Sequence, residues 1–257
     1  MNAKKLSFLL LILVAVACTN RSTSSEQDEM RHWNNVLQQI NALLLENKAR
    51  QTLDLAKQTL PEILESAEKN GTTDTLIYYA RKIFNACGNN YINTKQYKDG
   101  IDYMDSIGNH PLIREHCPHE LLSFKAGLNQ LYGNNPEAVR LAEDYLQLPV
   151  CTSANDFIRQ AEIISGVYMY SGNNLPKAIQ ILEKAIDVYR KGGNFPNMLR
   201  IMSRLGIYYH LSGEYEKAIA TNQEAIATYN DSIAPGNVVI ARSEEHTSEL
   251  QSPACIS

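Results

Sequence analysis

The sequence predicts an all-α protein built as a stack of helical hairpins, and three observations carry that prediction. Between Gly166 and Tyr229 the chain repeats itself at an interval of forty residues: Gly166 answers to Gly206, Ala178 to Ala218, Ala185 to Ala225, Ile186 to Ile226 and Tyr189 to Tyr229. Within each copy the apolar positions, such as Ala178, Ile179, Leu182, Ala185, Ile186 and Tyr189, fall at helical spacing in a single stripe. Between stripes lie turn signals, Gly172-Asn173-Asn174-Leu175-Pro176 and Gly133-Asn134-Asn135-Pro136, in which proline opens the next helix where its missing N–H is not needed. A hairpin of this kind buries one face and completes its core against its neighbours, which leaves an open surface suited to gripping a partner.

The periodic residues also carry a family resemblance. Leu205-Gly206-Ile207-Tyr208-Tyr209, Gly213-Glu214-Tyr215-Glu216-Lys217-Ala218 and Ala225 resemble a tetratricopeptide repeat (TPR). The resemblance implies a right-handed α-solenoid, with small residues at Gly206, Ala218 and Ala225 letting paired helices approach and Tyr209 and Tyr215 filling space between hairpins. Met202 stands at the usual tryptophan-like site, and the usual proline after the second helix is missing near Asn230. Earlier copies stand at Ala126 and Ala138 and, more weakly, at Gly88, Tyr91, Tyr97 and Gly100, so residues 75–231 read as four repeats. Upstream, residues 30–74 hold two helical stretches, Met30 to Glu46 and Lys48 to Asn70, with Pro61 expected to begin a new segment because a mid-helix proline removes a hydrogen bond. They form either a degenerate first repeat or a cap, and Trp33 is expected to pack there.

The ends read differently. Residues 1–17 have a signal-peptide layout: Lys4 and Lys5, the apolar run Leu6 to Val14, then small residues up to Cys18. A cysteine after small residues resembles the lipobox of bacterial lipoproteins, which implies lipidation at Cys18, with residues 18–29 as a Ser/Thr-rich tether. At the other end, residues 242–257 resemble the translation of a common short-read sequencing adapter, so no role is assigned to His246 or Cys255. The native chain is expected to continue past Ala241, with residues 232–241 at the start of the missing part.

The net charge of −4 provides no electrostatic footprint for nucleic acid. Of five cysteines, Cys87 reads as a small buried hydrophobe, while Cys117 and Cys151 lie at the same end of one hairpin and could close a disulfide outside the cytoplasm. His116-Cys117-Pro118-His119-Glu120 reads as a polar loop at the head of a helix, because its spacing does not place two metal ligands on one helical face. No phosphate-cradling glycine loop or nucleophile elbow occurs, so neither catalysis nor a cofactor is expected.

By family convention the first helix of each repeat lines the inner wall. Its candidate exposed positions are Lys82, Asn85, Asn89, Asn93, Gln130, Gln160, Tyr170, Arg200 and His210, whose amides could read the backbone of an extended peptide. The expected function is a lipid-anchored protein on the periplasmic side or outer surface of the cell envelope that binds a protein or peptide, as scaffold or sensor input. The resemblance to Bacteroidetes-type regulators provides the alternative, the sensory part of a longer signalling protein ending in a histidine kinase or DNA-binding domain.

Overall fold

The computed structural model describes residues 24–149, 154–193 and 195–232, so Cys18, Cys151 and residues 242–257 lie outside the described residues. Within them the secondary structure is eleven α-helices and no strand. They fall into two compact units divided between Cys87 and Gly88.

The first unit contains α1 (Ser24–Leu45), α2 (Ala49–Asn70) and the start of α3 (Asp74–Asn93). The first two run antiparallel, since Ser66 donates to Glu29 at 3.0 Å and His32 faces Glu62 at 3.6 Å. Their seam is Trp33, Val36 and Ile40 against Leu53, Ala56, Leu60, Ile63 and Leu64, all buried, and Trp33 packs as expected. Pro61 does not begin a new helix, because α2 runs through it. Its ring sits on the exposed side, while Ala56, Leu60, Ile63 and Ala67 hold a continuous apolar stripe past it. Burying those side chains, at roughly 1.5–3 kcal/mol each for the large ones, outweighs the one hydrogen bond that proline removes.

The second unit contains the rest of α3, then α4 (Tyr97–Ile107), α5 (Pro111–His116), α6 (Pro118–Tyr132), α7 (Asn135–Gln147), α8 (Ala154–Tyr170), α9 (Leu175–Gly192), α10 (Phe195–Leu211) and α11 (Tyr215–Ser232). Helices α6/α7, α8/α9 and α10/α11 pair as hairpins and share one apolar core from Ala126 to Ala218. Local chemistry sets their ends. Pro118, Pro136 and Pro176 occupy first-turn positions, the Asn174 side chain accepts from the Lys177 N–H at 3.1 Å, and Gly133 and Gly193 close α6 and α9 at positive φ. The segment around Cys117 is no loop: α5 ends at His116, α6 begins at Pro118, and Cys117 and Glu120 are buried. Tyr215 is also not a filler between hairpins, being 56% exposed, whereas Tyr209 is buried.

The register differs from the simple forty-residue copy. Each turn from a first to a second helix closes with a backbone bond from the second helix's entry to a carbonyl near the first helix's end: Gln96 to Tyr91, Asn134 to Asn129, Asn174 to Tyr168, and Glu214 to Tyr209. Three of these span five residues and the third spans six, the additional residue being absorbed around Asn173, at φ +43°. Second helices therefore repeat at forty, Ala178 to Ala218, but α8 and α10 repeat at forty-one, Tyr168 to Tyr209. The counterpart of Gly206 is Ser165, not Gly166. Packing agrees: a Cβ at Gly206 would stand 2.6 Å from Asn222, while one at Gly166 would meet nothing closer than Gln130 at 3.8 Å.

Candidate functional site

In the second unit the first helices α6, α8 and α10 present a common face. Where each meets the previous first helix, the side chain five residues before the turn carbonyl makes the join. On α6 this is Phe124, which presses on Gly88 so closely that a Cβ there would sit 2.4 Å from the ring; on α8 it is Ile163, 2.6 Å from where a Gly127 Cβ would be. The same position on α10 is Arg204. An apolar seal is thus replaced by a charge.

Arg204 meets a carboxylate. Glu162 of α8 is buried, its side chain 4% exposed, and it takes both Nε, at 2.8 Å, and Nη2 of Arg200 in a bidentate pair. Arg204 donates Nη1 to the Glu162 carbonyl oxygen at 3.3 Å, with Nη2 4.0 Å from the carboxylate. Next to them, burial and the neighbouring Tyr170 hold the Tyr208 hydroxyl above its ordinary pKa, with Arg204 and Ser165 beside it opposing the shift. A bidentate guanidinium–carboxylate pair fixes the planes of both groups. The arginine side chains remain 53% and 38% exposed, so the cluster is a rigid positive surface on a buried acidic root.

The candidate residues distribute unevenly. Tyr170 and His210 are exposed, Tyr170 by 68%, and the His210 ring lies 5.3 Å from that of Tyr215; Arg200 is exposed but committed to Glu162. Gln160 contradicts the expectation: it is 1% exposed and accepts from the Tyr145 hydroxyl at 3.4 Å. The cause is the one-residue offset, which makes Gln160 the counterpart of the buried Ile201; the true counterpart of Arg200 is Arg159. Gln130 and Asn89 are half-buried and Asn93 is exposed. Lys82 and Asn85 belong to the first unit, both half-buried, with the Lys82 ammonium 5.7 Å from the Tyr78 ring. Glu162, Arg204 and Tyr208 were missed by sequence reasoning. The available signal was a glutamate amid the apolar residues Ala161, Ile163 and Ile164.

A second polar pattern recurs instead of standing alone. The Tyr168 hydroxyl donates to Glu143 at 3.0 Å, and Lys177 caps the ring at 4.4 Å while donating to Glu143 at 2.8 Å. One hairpin on, Tyr209 donates to Glu183 and Lys217 lies 5.3 Å from its ring, although Lys217 takes Glu214 as its partner. Burial, joined by the Glu183 carboxylate, raises the Tyr209 pKa; at Glu143 the Lys177 hydrogen bond, then that of Tyr168, lowers the carboxyl. In the first unit a shallow groove between α1 and α2 carries Asp28, Glu29, Glu62 and Glu65, with His32 and Lys69 paired to two of them. Among the described residues no cluster of three metal-ligating side chains occurs, and no helix is long and apolar enough to cross a membrane.

Residues 161–231 match the tetratricopeptide repeat family. The α8–α11 hairpins that the match spans are TPR-like. Among solved structures, BtubC (BKLC) from P. vanneervenii is similar at TM-score 0.56 and 11% identity, covering 76% of this chain and 80% of that one. A Podosopora anserina chain of nearly identical TPR-like repeats is similar at TM-score 0.50 and 12% identity, covering 80% and 99%. At that identity the likeness concerns the fold, an all-α solenoid of TPR-like hairpins. No curated protein sequence matches the chain.

Proposed function

We propose that this chain is a lipid-anchored, extracytoplasmic TPR scaffold that binds a protein or peptide on the first-helix face of its second unit. The observation that carries the binding face is the exposure of Tyr170, Ile207 and His210 beside the arginines of α10: large apolar and charged groups side by side, on helices whose other sides are core. Anchoring is supported by the Lys4-Lys5 start, the short apolar run and Cys18 after small residues. Cys18→Ser is expected to move the protein from the membrane to the soluble fraction, and unchanged fractionation would discard the anchor. For the face, Tyr170→Ala with Ile207→Ser is expected to abolish recovery of cross-linked partner from cell envelopes while the thermal melt stays within a few degrees. Equal recovery would refute the face.

A second reading, the sensory part of a longer signalling protein, is supported by the resemblance of a lipobox-like start followed by such repeats to Bacteroidetes-type regulators. Sequencing the intact gene past Ala241 decides it. About 20 apolar residues followed by a kinase or DNA-binding domain would support it, and a stop codon after one more helix would not.

A further inference from the structure

We infer that the Glu162–Arg200–Arg204 cluster recognises an acidic side chain of the bound partner, adjacent to an aliphatic or aromatic residue that meets Tyr170 and Ile207. This deepens the binding-face reading and rests on it.

The argument begins with what repetition demands. Stacking requires a join between successive first helices, and Phe124 on Gly88 and Ile163 on Gly127 show that an apolar side chain against a glycine supplies it. At the third join the chain sets a carboxylate at 4% exposure and two guanidinium groups around it. Burying a charge is expensive, and an ion pair in such a place is often no more stabilising than apolar side chains of the same volume. The join gains nothing in packing that an isoleucine would not provide, so packing does not explain the choice.

The charge balance indicates what the cluster faces. Among the described residues two guanidinium groups share one carboxylate, which leaves one positive charge in excess. Helix α10, FPNMLRIMSRLGIYYHL, contains no Asp or Glu that could neutralise it, although the chain as a whole carries −4. Glu162 holds Arg200 in a fixed plane and its carbonyl oxygen accepts from Arg204, so a second carboxylate arriving from solvent finds donors partly oriented and loses less side-chain entropy to them. The flanking surface is apolar: Ile207, 59% exposed, stands three residues after Arg204 on α10, and Tyr170, 68% exposed, ends the helix that carries Glu162. A carboxylate next to an aliphatic or aromatic side chain is the partner chemistry that satisfies both halves.

The test is a selection of random displayed peptides on the full chain, with the enriched peptides synthesised and their Kd measured by fluorescence anisotropy. The expected result is enrichment of Asp or Glu beside an aliphatic or aromatic residue. Changing the peptide's acid to its amide, or Arg204→Gln in the protein, each weakens binding by about tenfold, and the two together by little more than either. The peptide-side change keeps the test valid if an arginine variant fails to fold. Peptides that lose affinity with Tyr170→Ala and Ile207→Ser but ignore both the amide change and Arg204→Gln overturn this inference and leave the binding face standing. Peptides indifferent to every one of these changes, or a selection that enriches none, overturn both.

Discussion

The two polar patterns of the second unit differ in one respect: the tyrosine–carboxylate–lysine contact occurs at both junctions among the last three hairpins, the glutamate–arginine cluster at one. In a repeat protein that difference separates roles. A contact remade at successive junctions, as Tyr168 with Glu143 and Tyr209 with Glu183, belongs to stacking. A contact that replaces the repeated solution, as Arg204 does where Phe124 and Ile163 stand elsewhere, needs another cause, and exposed cations over a buried acid point outward to a ligand.

The comparison breaks first at its apolar joins. Phe124→Ala removes a fully buried ring and should destabilise by about 3–5 kcal/mol in chemical denaturation; a loss under about 1 kcal/mol would mean the join is not a structural element. Replacing the polar join by an apolar one, Glu162→Met with Arg204→Ile, should instead leave the urea midpoint unchanged or higher, because exchanging a buried ion pair for packed apolar groups is often neutral or better, while peptide affinity falls by at least tenfold. A marked drop in stability would return the cluster to the structural class. Tyr168→Phe and Tyr209→Phe should each cost on the order of 1 kcal/mol, and to a similar extent, since they are copies; a large inequality would mean the recurrence is superficial. Smallest is Gly166→Ala, expected to gain roughly 0.5–1 kcal/mol because the site is helical with room for a methyl.

Titration sharpens the recurring contact. The Glu143 carboxyl is held below its ordinary value by Lys177 and then Tyr168. A lowered folded pKa contributes stability above the ordinary carboxylate value of about 4.3, and that contribution drains away as pH falls through the folded value. Lys177→Met should therefore differ from the parent protein at pH 7 and converge with it under strongly acidic conditions, as read by urea midpoints. The difference is small because the Glu143 side chain is half exposed and solvent screens the pair.

Much of the fold was legible. Helical stripes, Pro at first turns and Gly at helix ends each act within a few residues, and the family match over 161–231 agrees with the most regular copies. Two features were not. Pro61 remains inside α2 because tertiary burial on both sides overrides a local preference, and no local rule carries that information. The first-helix register was read one residue off in α8, because Gly166 lies at the spacing that the second helices keep, and the additional turn residue shows only in the hydrogen bonds. That offset is what made Gln160 a surface candidate and hid Glu162, so the site was less legible than the fold by the width of one residue.

The spare residue at the α8–α9 turn also limits how this scaffold can be rebuilt. Grafting a side chain from one hairpin to the next at a fixed count of forty suits the second helices and fails along the first ones. A copy of Arg200 placed forty positions earlier would put a guanidinium at Gln160, inside the protein, whereas the same copy placed at Arg159 reproduces the side chain already there. Any scheme that lengthens or averages these modules must therefore keep two separate ledgers of position, one for each layer.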